Sequence, residues 1–122
     1  MIDKKRLKEE YKRMIPPMGV FMIKNKNSGL VFLGSSLNLK SVLDKHKMLL
    51  SAKMHMNSRL QRDWNESGAE AFEFAIAETL EPKDDPDYNY SEDLSILEML
   101  WIDKYRPIDE KLYNKSEKIR GV

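Results

Sequence analysis

Two short runs of β-forming residues, Gly19 to Lys24 and Leu30 to Gly34, are separated by Asn25-Lys26-Asn27-Ser28-Gly29. Val, Ile and Phe dominate both runs, and the intervening Asn, Ser and Gly suit a tight reversal, so the stretch GVFMIKNKNSGLVFLGSS predicts an antiparallel hairpin. Each strand carries an aromatic close to a glycine: Phe21 follows Gly19-Val20, and Phe32 precedes Leu33-Gly34. A chain that commits early to this hairpin must supply helices or strands to cover it.

The rest of the sequence supplies them. Before the hairpin, Leu7, Tyr11 and Met14 recur at helical spacing until Pro16-Pro17 stops the helix. After it, Ser35-Ser36 offers an N-cap, and Leu39, Val42, Leu43, His46, Leu49 and Leu50 form one apolar stripe of a core-facing helix. A second, shorter helix is expected around Met56, Leu60 and Trp64, closed by Gly68. FEFAIAETL alternates, with Phe72, Phe74 and Ile76 on one side, which predicts a third strand. An acidic, proline-broken loop follows. Ser91-Glu92-Asp93 then opens a helix to about Tyr105 with the stripe Leu94, Leu97, Trp101, Tyr105, stopped by Arg106-Pro107. In the remaining tail only Leu112 and Tyr113 offer anchors. The expectation is an α+β fold: a small, three-stranded, mainly antiparallel sheet flanked by helices. It forms a single domain over 1–122, with an N-terminal helix at 1–15, a core at 19–114 and a tail at 115–122.

A chain of 122 residues with 41% hydrophobic and 34% charged content is sized for one modest core. It contains no Cys, which excludes disulfides, thiolate nucleophiles and Cys-ligated zinc. No apolar run is long enough to span a bilayer and the first residues are charged, which points to a cytoplasmic protein without a membrane partner. The net charge of +1 hides an asymmetry. Lys24 to Arg62 carries eight Lys/Arg against one Asp, whereas Asp63 to Glu98 carries twelve Asp/Glu against one Lys. A basic face for phosphates beside an acidic, solvated one is compatible with this pattern, as are ordinary solvated helix faces.

Two residues break apolar stripes. Glu98 falls between Trp101 and Tyr105 on one side and Ile102 on the other, so its carboxylate needs a donor, a cation, a proton or an escape to solvent. His46 lies four residues after Val42 on its helix, where a hydrogen-bonded core histidine is the ordinary outcome. His46 and His55 are nine residues apart with no acidic or Cys companion at a recognised metal spacing. Gly-rich phosphate loops, serine elbows and zincin patterns are absent from the sequence, and the methionines at Met14 to Met22 and Met48 to Met56 read as adaptable packing.

The order of hairpin, helix pair, strand and Glu-bearing helix, closed by Tyr113-Asn114, resembles the GIY-YIG nuclease family over about Gly19 to Asn114. Gly19-Val20-Phe21 stands at the first triplet and Phe32-Leu33-Gly34 at the second. NSRLQRDWNESGAEAFEFAIAE resembles the middle block of the family's phage-type and stand-alone members, and LEMLWIDKY its glutamate helix. The resemblance implies a metal-dependent endonuclease site. In that site two tyrosines, one of them helping to activate water, act with an arginine and a glutamate that holds a divalent cation. Position by position, Glu98 matches the ligand of Mg2+ or Mn2+, His46 a histidine often found near the site, and Asn114 the terminal asparagine. Phe21 and Phe32 replace the tyrosines, and Val42 stands at the arginine.

None of these three replacements donates or accepts a strong hydrogen bond. Losing one preorganised group typically costs about 10²–10³ in rate, and such losses do not simply add. The leading expectation is therefore a nuclease fold with a degenerate centre that retains nucleic-acid binding, DNA ahead of RNA, through Lys40, Lys45, Lys47, Arg59 and Arg62. The alternatives are an active endonuclease in which Arg59, Arg62, Lys40 or Lys45 replaces the lost charge, and a protein-interaction module using the acidic Glu81 to Glu92 region and exposed methionines.

Overall fold

Each face of the predicted hairpin finds its own helical layer. The computed structural model describes residues 3–105 and 111–114. Over these the order is α1 (Lys4–Met14), β1 (Met18–Asn25), β2 (Val31–Ser36), α2 (Leu39–Ser51), α3 (Ser58–Ser67), β3 (Phe72–Leu80) and α4 (Ser91–Tyr105). A 3-10 turn at Ala69–Ala71 leads into β3. The expected stop at Arg106-Pro107 and the expected tail at 115–122 lie outside the described residues.

β1 is the central strand of a three-stranded sheet ordered β2-β1-β3, antiparallel to both neighbours. Because side chains alternate along a strand, β1 feeds two cores. Phe21 and Ile23 pack with Leu39, Leu50, Leu60, Trp64 and Phe72 beneath α2 and α3. Val20 packs with Val31, Leu33, Leu97 and Ile102 beneath α4.

The alternation predicted for β3 holds only as far as Ile76. Phe21 pairs with Ile76 but Val20 with Glu78, so Ala77 is an extra residue and the strand carries a β-bulge. Beyond the bulge Glu78 faces α4, where it accepts a hydrogen bond from Trp101 Nε1 at 2.8 Å. Ile76 remains 47% exposed.

The start of α2 also differs from expectation. Ser35 and Ser36 continue β2, because Gly19 pairs with Ser36, and the cap is Asn38, whose side chain accepts from the Ser41 N–H. α3 begins two residues later than the Met56 stripe suggested, capped by Asn57, and ends at Gly68 with φ 83° as anticipated. Ser91 lies inside α4 and has its own N–H held by the Asn89 side chain at 2.9 Å. Of the methionines expected to pack, Met18 is buried, whereas Met14, Met48, Met54 and Met56 are exposed.

The outer edge of β2 is closed by the last described segment. Leu112 bridges Val31 in parallel, and the Tyr113 N–H donates to the Val31 carbonyl at 2.7 Å. Asn114 Nδ2 donates to the Leu33 carbonyl at 2.8 Å while its Oδ1 accepts the Leu33 N–H at 3.0 Å, so one side chain imitates a strand partner.

Gly19 is buried against the β3 backbone at φ 149°, and a Cβ there would overlap the Glu78 carbonyl oxygen. Gly19→Ala is expected to destabilise the fold by about 2–4 kcal/mol through this overlap and its left-sided φ. Urea denaturation measures it, and a loss below about 1 kcal/mol would contradict the close approach.

Candidate active site

The two glycine-flanked aromatics meet on the α2–α3 side of the sheet. The Phe21 ring centroid lies 6.3 Å from that of Phe32, 5.0 Å from His46, and Phe32 lies 5.4 Å from His46 and 5.6 Å from His55. Gly34 makes room for this cluster. A Cβ at Gly34 would sit 2.5 Å from Cζ of Phe21, so the ring lies directly against the bare backbone of the second triplet. The para carbon, to which a phenol oxygen would be bonded, is thus at Gly34, next to Ser35.

His46 is not solitary. Its Nδ1 is 2.7 Å from Nε2 of His55, and the Asn57 N–H donates to Nδ1 of His55 at 3.0 Å. The bonding pattern fixes the protons. His55 must carry its hydrogen on Nε2 and donate it to His46 Nδ1, which leaves His46 protonated on Nε2. Both rings are buried. Burial, followed by the neighbouring His55 and Lys45, pushes His46 down to about 4, and burial also lowers His55. A second proton on His46 would have to enter at Nδ1 and break the bond to His55, so the pair is neutral in the folded state.

Helix α2 places Val42, one turn before His46, at the margin of the same cluster, half-buried and packed on the core. Glu98 comes from α4 on the opposite face of the sheet. Ser35 Oγ donates to Glu98 Oε1 at 2.9 Å. Consecutive residues of β2 thus serve opposite faces: Gly34 receives the Phe21 ring on one and Ser35 holds the Glu98 carboxylate on the other. The second oxygen of Glu98 has no partner among the described residues.

No group of three or more His, Asp or Glu side chains that could hold a metal occurs among the described residues. Glu98 alone offers one carboxylate with one uncommitted oxygen. This donor set suits Mg2+ or Mn2+ that keeps most of its water and takes the rest of its ligands from a phosphate, and does not suit a closed protein cage.

The remaining candidates divide. Asn114 is spent on the β2 backbone, and Tyr113 beside it donates its hydroxyl to Asp63 at 2.7 Å and accepts from Asn25 at 3.1 Å. Burial and the Asp63 hydrogen bond raise that phenol to about 12. Lys40, Lys45, Lys47, Arg59 and Arg62 are all exposed. Lys47 lies 5.1 Å over the Phe74 ring, and Arg62 lies 3.6 Å from Asp63. Two roles escaped the sequence: His55 as the hydrogen-bond partner of His46, and Ser35 as the partner of Glu98. The signal for His55 was its neighbour Asn57, a helix cap that fixes the turn in which the imidazole sits.

Residues 17–114 match the GIY-YIG catalytic domain. Two solved structures are similar, each with a TM-score of 0.65 and covering 80% of this chain. One is a mutant of the catalytic domain of intron endonuclease I-TevI, at 25% identity over 92% of that chain. The other is the catalytic domain of homing endonuclease I-TevI, at 23% identity over 99% of that chain. No curated protein matches.

The neutral histidine pair makes stability depend on acid. His46 is lowered from 6.5 to about 4, so between these values the unfolded chain binds more protons than the folded one. Its contribution is complete above about pH 6.5 and is lost toward pH 4, on the order of 1–3 kcal/mol. His46→Asn keeps an acceptor for His55 and cannot titrate. Its unfolding free energy should fall less steeply than the wild type's between these pH values, and parallel slopes would rule the mechanism out.

Proposed function

This chain belongs to the GIY-YIG catalytic domain family, and from that premise we propose that it is a nuclease-fold protein that binds nucleic acid and hydrolyses it very slowly or not at all. Metal-assisted cleavage of a phosphodiester needs a group to take the proton of the attacking water, a cation for the charge on the phosphate, and a ligand for the metal. Glu98 remains for the third task. When bound there, Mg2+ or Mn2+ would supply Lewis-acid neutralisation of a phosphate oxygen.

The observation that carries the reading is the state of the ring cluster. Phe21 and Phe32 bring no oxygen, and the one basic nitrogen of His46 is already filled by the His55 hydrogen at 2.7 Å. The other ring nitrogen of His46 carries a proton and so cannot take one from water. Val42 supplies no charge, Arg62 is paired with Asp63, and Lys47 rests on Phe74. Binding needs much less than this. The exposed cations of α2 and α3 suffice to contact a phosphate backbone.

With supercoiled plasmid and Mg2+ or Mn2+, the protein is expected to nick no faster than its Glu98→Ala variant. Restoring the lost groups together, as Phe21→Tyr, Phe32→Tyr and Val42→Arg, should raise cleavage at least about 10²-fold above that background. Nicking by the unaltered protein that Glu98→Ala abolishes would overturn the degenerate reading and favour a rearranged, active endonuclease.

A further inference from the structure

Helix α1 precedes the matched region, which begins at residue 17. It is held to the rest of the molecule unusually lightly. None of its residues is buried, and Leu7 and Met14 are 51% and 81% exposed. Among the described residues its polar contacts to the rest of the fold are the ion pair from Lys12 Nζ to Asp84 Oδ1 at 2.7 Å and a long hydrogen bond from the Tyr11 hydroxyl to the Pro86 carbonyl at 3.4 Å. Exposed contacts of this kind contribute little to stability, because solvent and salt screen them.

The helix is rich in cations. Lys4, Lys5, Arg6, Lys8, Lys12 and Arg13 stand among its residues against Glu9 and Glu10. Lys4, Lys8 and Lys12 recur every fourth position and form one row along the helix, about 6 Å apart. Lys8 and Lys12 of that row face carboxylates. Asp84 is held well below the usual carboxylate range by Lys12, with Lys8 adding to the effect, and Lys12 is raised by Asp84 with further help from Glu81. The loop between β3 and α4 thus offers acidic groups to a lysine row through contacts that are solvated and easily exchanged.

We propose that α1 is a detachable cationic arm for a nucleic-acid backbone, and that the acidic 81–87 loop holds it by standing in for phosphate until nucleic acid takes the loop's place. The inference rests on the nucleic-acid reading above and adds to it a segment outside the family's domain. A lipid surface is a poorer fit, because Leu7, Tyr11 and Met14 are the only apolar side chains that the helix could insert and Tyr11 is tied to Pro86.

The test is a titration of the full chain with a fluorescent DNA duplex of arbitrary sequence at several salt concentrations. Neutralising the row as Lys4→Gln, Lys8→Gln and Lys12→Gln should weaken binding at low salt at least about 10-fold. It should also reduce the slope of log K against log salt by about 2 to 3, because each phosphate contact contributes about 0.9. Asp84→Asn, which loosens the arm without touching its charge, should tighten binding severalfold. Far-ultraviolet circular dichroism confirms that each variant is folded. Binding with an unchanged slope in the lysine variant would overturn this inference alone. Absence of binding by the unaltered chain at the lowest salt would overturn it together with the nucleic-acid reading. Row-dependent binding to phosphatidylserine vesicles that exceeds binding to the duplex would overturn it in favour of a membrane surface.

Discussion

The pairing of β1 on both edges is the constraint from which the other elements take their positions. A strand hydrogen-bonded on two sides cannot slip by one residue without exchanging its faces, and here the faces are owed to different helices. Phe21 and Ile23 must reach α2 and α3, while Val20 must reach α4. The sheet accommodates one irregularity, the extra Ala77 in β3, and uses it to turn Glu78 toward Trp101. Gly19 marks the other end of the same adjustment, since the backbone of β3 comes too near there for any side chain.

This arrangement gives the glycine triplets a mechanical meaning that is separate from chemistry. Gly34 is bare because the ring of Phe21 lies on it, and that contact needs no oxygen on the ring. The scaffold of the site and its reactive atoms are thus separable. Packing of Phe21, Phe32, His46 and His55 holds the shape of the hollow, and the hydrogen-bond chain from Asn57 through both imidazoles holds their orientation. Aromatic rings that stack well without hydroxyls stabilise the fold whether or not a phosphodiester is ever attacked.

Periodic features were legible in the sequence. The hairpin, the stripe of α2, the third strand and the extent of α4 follow from spacings of two and of three to four residues, and the structure has them within a residue or two. Local chemistry was less decisive. Ser35-Ser36 and Asn38 are all competent caps, and the choice fell to Asn38 only because β2 pairs with β1 as far as Ser36. The hydroxyl freed from capping, that of Ser35, then became the partner Glu98 required. The bond between His46 and His55 depends on a reversal after α2 in which Lys53 adopts φ 62°, a conformation no apolar periodicity announces. Asn114 was picked out by position, yet its contacts are to the Leu33 backbone, a role that the sequence alone could not separate from one in chemistry.

The clasp formed by Leu112, Tyr113 and Asn114 has a consequence for how the protein is born. It secures β2 with residues 81 positions farther along the chain. During synthesis the hairpin, both following helices and even α4 can emerge and dock while that flank of β2 still shows bare amide and carbonyl groups. A nascent chain stalled before this point would be a template for joining to another strand. Emergence of residues 112–114 is therefore also the step that closes this flank of the sheet to other strands.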